Sequence, residues 1–222
     1  MEDIYSKKRI KEYRKKNWKE AIEDFENKEK YILFKIKNIS DNFDIPESEI
    51  INIISKSTDK KLKELFIAVR FSKDPKRQNI YENIFYDYLR ENNRDVIKLP
   101  LSGPKSVYLT RIGLSMGGEN HPDSTKSLDF YEEIGNKEIY YYHKYTESGG
   151  GAQANQYNDL KTFLRLAERF CQNHRDNNIF VAVADGPFYD DVKLGYLAQI
   201  AGVFIDRRIF VIKWYDLLHK LN

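Results

Sequence analysis

Ser127–Tyr157 reads SLDFYEEIGNKEIYYYHKYTESGGGAQANQY. Two runs rich in aromatic and β-branched residues, SLDFYEE and KEIYYYHKYT, flank Gly135-Asn136, a two-residue turn with glycine first, as a type II′ hairpin prefers. Pairing across that turn sets Ile134 opposite Lys137 and, in the same register, Asp129 opposite Tyr142. Directly opposite residues project to one face, so Asp129, Tyr142 and Lys144 share a side and His143 turns to the other. An Asp129–His143 pair is therefore not expected. Lys144 is the diagonal neighbour of Asp129, roughly 7–8 Å away between backbones, so both side chains can reach a common ligand. A slip of one residue would reverse these assignments, which makes the Gly-Asn turn decisive.

Working outward, ESGGGAQ leads into NQYNDLKTFLRLAERFCQNH, which has the pattern of a long amphipathic helix. IFVAVADG follows as a buried strand, YDDVKLGYLAQIA as a short helix, and VFIDRRIFVIKW as one or two final strands. On the N-terminal side, VIKLP and KSVYLTRIGL read as strands, and the polar loop SMGGENHPDSTK joins them to the hairpin. Before them, Asp74-Pro75 supplies an N-cap and a first-turn proline for a helix through QNIYENIFYDYLREN, with Ile80, Ile84, Phe85 and Tyr88 or Leu89 facing a core. The segments before that are helical as well: a charged stretch from about Tyr5 to Lys28, the apolar YILFKI, Ser48–Ser57 and Lys60–Phe71. In the last of these, Leu62, Leu65, Phe66 and Val69 line one face. The last two helices fit either a bundle or a helix-turn-helix. The expected class is α/β, a mixed sheet flanked by helices over residues 74–222, preceded by a helical region over 1–73.

Composition narrows the function classes. The 222 residues are 41% hydrophobic and 32% charged, with a formal net charge of only +3, so total charge alone does not specify a polyanionic partner. Charge is concentrated, however, in Lys7–Lys19, KKRIKEYRKKNWK, where eight Lys or Arg stand beside a single acid, Glu12. Such a run serves as the solvated face of a helix or as a set of phosphate contacts. The single cysteine, Cys171, excludes a disulfide framework and a Cys-rich zinc site, and its apolar helix points to an inert buried thiol. No stretch approaches the roughly 20 apolar residues of a membrane span, and Met1 is followed by acids, so a soluble cytoplasmic protein is expected.

An aspartate and a lysine on adjacent strands form either a cross-strand ion pair or part of a metal-dependent hydrolytic site. The glycines and amides beyond Lys144 favour the second. Backbone N–H groups of Ser148, Gly149 and Gly150, with Gln153, Asn155 and Gln156, form a mouth suited to anionic oxygens. Helix, strands with Asp then Lys, helix and strand in this order resemble the PD-(D/E)xK nucleases, and especially type II restriction endonucleases, over roughly Lys76–Asp216. The resemblance implies a restriction-endonuclease-like core of αβββαβ order. It makes Asp129 a Mg²⁺ ligand and Lys144 the residue that positions and activates water.

Tyr142 stands two residues before Lys144, where the family has Glu or Asp. In some members that carboxylate comes from the helix preceding the sheet, and Glu82 holds the matching place here; it also fits an ordinary exposed helix acid. Glu147 is the next candidate, and Pro122-Asp123, with Glu119 before it, is a competing aspartate in a loop. Gln153 and Tyr157 resemble the QxxxY element of the exonuclease-like branch. Asp185–Tyr189, DGPFY, closes a strand as a turn or as part of a DNA cleft.

The implied function is Mg²⁺-dependent cleavage of double-stranded DNA by a homodimer, with Lys105 among the residues contacting the duplex. The alternatives are a repair or junction-resolving nuclease of the same superfamily and a non-catalytic DNA-binding domain on the same fold.

Overall fold

The computed structural model describes residues 3–72, 79–117, 127–147, 152–202 and 207–221. Gly135 takes φ +62° and no positive φ is found at Asn136, the combination a type II′ turn requires. The strands it joins, β4 (Phe130–Ile134) and β5 (Lys137–Tyr145), run antiparallel from Ile134↔Lys137 to Phe130↔Tyr141. This is the register read from the sequence.

The hairpin lies within a five-stranded mixed sheet of order β1-β4-β5-β6-β7, completed by β1 (Ile97–Lys98), β6 (Asn178–Asp185) and β7 (Ile209–Ile212). β1 and β4 are antiparallel, whereas β5, β6 and β7 are parallel. Helices α6 (Ala152–Asn173) and α7 (Asp191–Ile200) make the crossovers between the parallel strands. Every residue of β6 is buried, which is why it reads as an unbroken apolar run in place of an alternating one. On one face of the sheet Phe163 and Phe170 of α6 pack against Tyr142 and Phe180. On the other, Phe85 of α5 (Asn79–Glu91) meets Phe130, Tyr141 and His143. The α/β class with helices on both faces is thus present.

One strand, and the end of another, depart from the sequence expectation. KSVYLTRIGL is not one strand but a hairpin, β2 (Val107–Thr110) and β3 (Gly113–Met116), which forms its own two-stranded sheet. The Thr110 hydroxyl donates to the Gly113 carbonyl at 2.7 Å and closes the turn, and Val107, Leu109 and Leu114 join the α6 side of the core. At the C-terminus, VFIDRRIFVIKW supplies one described strand, β7, and Trp214 instead opens a helix, α8 (Trp214–Lys220). Asp185 fixes that start: its Oδ1 accepts the Trp214 N–H at 3.0 Å. The Asp74-Pro75 start signal lies outside the described residues.

The chain divides into two compact units, Tyr5–Ile80 and a larger one of Met1–Ile4 with Tyr81–Asn222. The smaller is helical, with α1 (Lys7–Glu26), α2 (Lys30–Phe43), α3 (Glu47–Ser55) and α4 (Lys60–Phe71) around Phe25, Ile32, Ile36, Ile50, Ile54, Ile67 and Phe71. The stripe of α4 that packs is not the one formed by Leu62, Leu65, Phe66 and Val69. Ile67, Ala68 and Phe71 are buried, whereas Leu62, Leu65, Phe66 and Val69 are 59%, 54%, 47% and 67% exposed. The helix is apolar on two stripes, and periodicity alone does not say which one packs.

Candidate active site

Asp129 sits one residue before β4, tied to strands on both sides. Its carbonyl accepts the Leu99 N–H at 2.9 Å and its own N–H donates to the Tyr141 carbonyl at 2.9 Å. The latter bond is offset by one residue from the Asp129–Tyr142 register. The carboxylate turns onto the backbone of β5, where Oδ2 accepts the His143 N–H at 2.7 Å. Asp129 and His143 therefore do meet, through the histidine's backbone. The imidazole itself goes to the opposite face, as the alternation requires, where it stacks on Phe85 at 4.9 Å and lies 3.4 Å from Asp185 Oδ2.

Lys144, one residue further along β5, is buried with its ammonium 4.0 Å from the centre of the Tyr142 ring. Asp129 is buried as well. Burial pushes its carboxyl up from the ordinary range; Lys144 opposes that shift and Glu82 adds to it. Asp129 thus feels the charge of both Lys144 and Glu82.

Glu82 lies in the first turn of α5 and is buried, not an exposed helix acid. Its Oε2 is 3.5 Å from the Lys98 ammonium on β1, which also donates to Asn83 Oδ1 at 2.7 Å. Lys98 was not singled out from the sequence, because only the β1–β4 pairing brings it here. Asp159 of α6 was likewise missed; after burial itself, it is the strongest influence pushing the Tyr142 phenol up, followed by Asp129. No local pattern in the sequence marks either residue.

The remaining candidates divide. Glu147 is exposed and accepts a hydrogen bond from the Tyr81 hydroxyl at 2.7 Å. Gln153 donates to the Glu147 carbonyl at 2.9 Å, and Gln156 bonds the Thr146 hydroxyl, so both amides fasten the start of α6 to the end of β5. Asn155 and Lys105 are exposed. Asp123, Glu119, Ser148, Gly149 and Gly150 lie outside the described residues.

The carboxylates present suit Mg²⁺ in kind. Asp129 keeps Oδ1 beyond its backbone bond, Glu82 offers a second carboxylate, and Mg²⁺ commonly uses one or two such groups with water and substrate phosphate. Among the described residues, no group of three or more His, Cys, Asp or Glu is arranged to hold a metal ion. No helix there is long and apolar enough to cross a membrane. No protein-family model matches the chain, and no match is found among curated proteins.

Proposed function

We propose that this chain is a Mg²⁺-dependent endonuclease of double-stranded DNA, a type II restriction enzyme built on a PD-(D/E)xK-like core and working as a homodimer. The carrying observation is that the buried Asp129 carboxylate, one residue before β4, is under the electrostatic influence of both Lys144 on β5 and Glu82 on α5. Asp129, Glu82 and Lys144 are all buried, so two carboxylate ligands and a fixed positive charge are held in a low-dielectric setting, where their action on a bound phosphate would be strong. Asp129 and Glu82 would hold Mg²⁺, which supplies Lewis-acid charge at the scissile phosphate. Lys144 orients the attacking water and offsets charge growing on the phosphate. The water oxygen forms its bond to phosphorus as the bond to the leaving oxygen breaks; the water's proton passes to solvent and the leaving oxygen takes one up. Lys98 balances Glu82 while no cation is present, holding that carboxylate in place.

Incubating the protein with plasmid DNA and Mg²⁺ tests the assignment. Discrete fragments are expected, and sequencing their ends gives the recognition site and cut position. Asp129→Ala should abolish cleavage, a loss of at least about 10³-fold, while DNA binding persists. Cleavage confined to branched or nicked DNA would make the chain a repair or junction enzyme. DNA binding unaffected by Asp129→Ala, with no cleavage by either protein, would leave a binding domain; Tyr142 at the usual carboxylate position is the observation that favours that outcome.

A further inference from the structure

Tyr142 stands two residues before Lys144 on β5, its ring stacked on Phe163 of α6 at 5.0 Å. The whole side chain is buried, and its hydroxyl meets no hydrogen-bond partner among the described residues. A buried phenol ordinarily finds one, so this oxygen calls for an explanation. Nearby groups are already engaged: the Thr146 hydroxyl with Gln156 and Tyr189, and Asp129 Oδ2 with the His143 N–H. The Lys144 ammonium rests over the face of the Tyr142 ring, 4.0 Å from its centre, and the phenol also feels the Asp159 and Asp129 carboxylates. The Asp129 carboxylate reaches β5 at the very next residue, His143.

We propose that the Tyr142 hydroxyl donates a hydrogen bond to a non-bridging oxygen of the scissile phosphate, making Tyr142 a further catalytic residue in the place of a third carboxylate. This rests on the nuclease assignment. The phenol transfers no proton: burial, Asp159 and Asp129 all keep it in the neutral, donating form. As water attacks, charge gathers on the non-bridging oxygens, and a donor already aimed there stabilises the transition state more than the ground state. Because a phenol brings no negative charge, the cation depends on Asp129, Glu82 and the phosphate itself.

Tyr142→Phe keeps the ring beneath Lys144 and the packing on Phe163, so it removes the hydroxyl alone. With wild-type cleavage and its loss in Asp129→Ala first established, Tyr142→Phe should lower kcat roughly 10²-fold. KM, DNA affinity in Ca²⁺ and the shape of the pH profile should stay as in the wild type, and the thermal midpoint should not fall. The defect should vanish on one phosphorothioate diastereomer, whose sulfur accepts hydrogen bonds poorly, because the wild type loses the same contact there. Wild-type kcat in Tyr142→Phe, a change in KM alone, a drop in thermal midpoint that accounts for the lost activity, or an equal defect on both diastereomers would overturn the proposal and leave the nuclease assignment standing. If the wild type cleaves no DNA, that assignment fails and the role of Tyr142 falls with it.

Discussion

Gly186 follows β6 with φ +92°, and a Cβ there would collide with the Thr146 carbonyl oxygen. Both the backbone conformation and the contact require glycine. Gly186→Ala should cost more than about 2 kcal/mol in denaturant unfolding, because neither strand end can retreat without breaking the parallel β5–β6 ladder. A loss below about 0.5 kcal/mol would show that the ladder yields at that end. Asp129 makes a different prediction. Burial raises its carboxyl, so the folded chain retains a proton that the unfolded chain releases. Stability from this group is present below the ordinary carboxylate value of 3.8 and is lost as pH climbs through the raised one. In metal-free buffer, Asp129→Asn should therefore gain stability relative to wild type as pH rises above the ordinary carboxylate value of 3.8. A gap between the two proteins that does not change with pH would mean the folded carboxyl ionises as freely as the unfolded one. The Asp129–Lys144 juxtaposition is legible in the sequence because one turn sets it, and Gly-Asn names that turn. Lys98 and Asp159 are not legible: each arrives from an element placed by tertiary packing, and an isolated Lys or Asp carries no local mark of its neighbours.

Helix α4 shows the same limit at the scale of an element. Its bounds follow from Asp59, whose carboxylate caps the Leu62 N–H at 3.1 Å, and from a run of good helix formers. Its orientation does not follow, because two apolar stripes compete and only neighbours decide between them. Phe71 meets Phe25 at 5.5 Å, and Ile67 is 1% exposed. Ile67→Ala should cost about 2–5 kcal/mol, whereas Leu65→Ala on the exposed stripe should cost under about 1 kcal/mol. Equal costs, measured by denaturant unfolding, would mean that both stripes are packed. The β2–β3 hairpin is a parallel case: KSVYLTRIGL shows its strand character in its residue types, but its break at Arg111-Ile112 has no proline or glycine pair to announce it.

At the scale of the whole molecule, charge is divided where total charge conceals it. Residues 5–80 hold 20 Lys and Arg against 13 Asp and Glu, a surplus of +7, while the chain sums to +3, so the remainder carries −4. Under the proposed function, the basic helical unit is the better placed of the two to attract DNA electrostatically. On α1, Lys8, Lys15 and Lys19 are exposed and fall on one narrow stripe, at spacings of seven and four residues. Each phosphate they neutralise releases condensed counterions, which steepens the dependence of affinity on salt by roughly 0.9 per contact. Replacing all three by glutamine should therefore flatten the slope of log affinity against log salt by up to about 3, and weaken binding across all DNA sequences alike. At saturating DNA the variant should cleave at the wild-type rate, because counterion release acts on affinity and not on the chemical step. An unchanged salt slope would assign the run to a solvated helix face and leave DNA capture to the larger unit. A lowered rate at saturation would instead mean that the basic helix shapes the reacting phosphate, a role that counterion release alone does not provide.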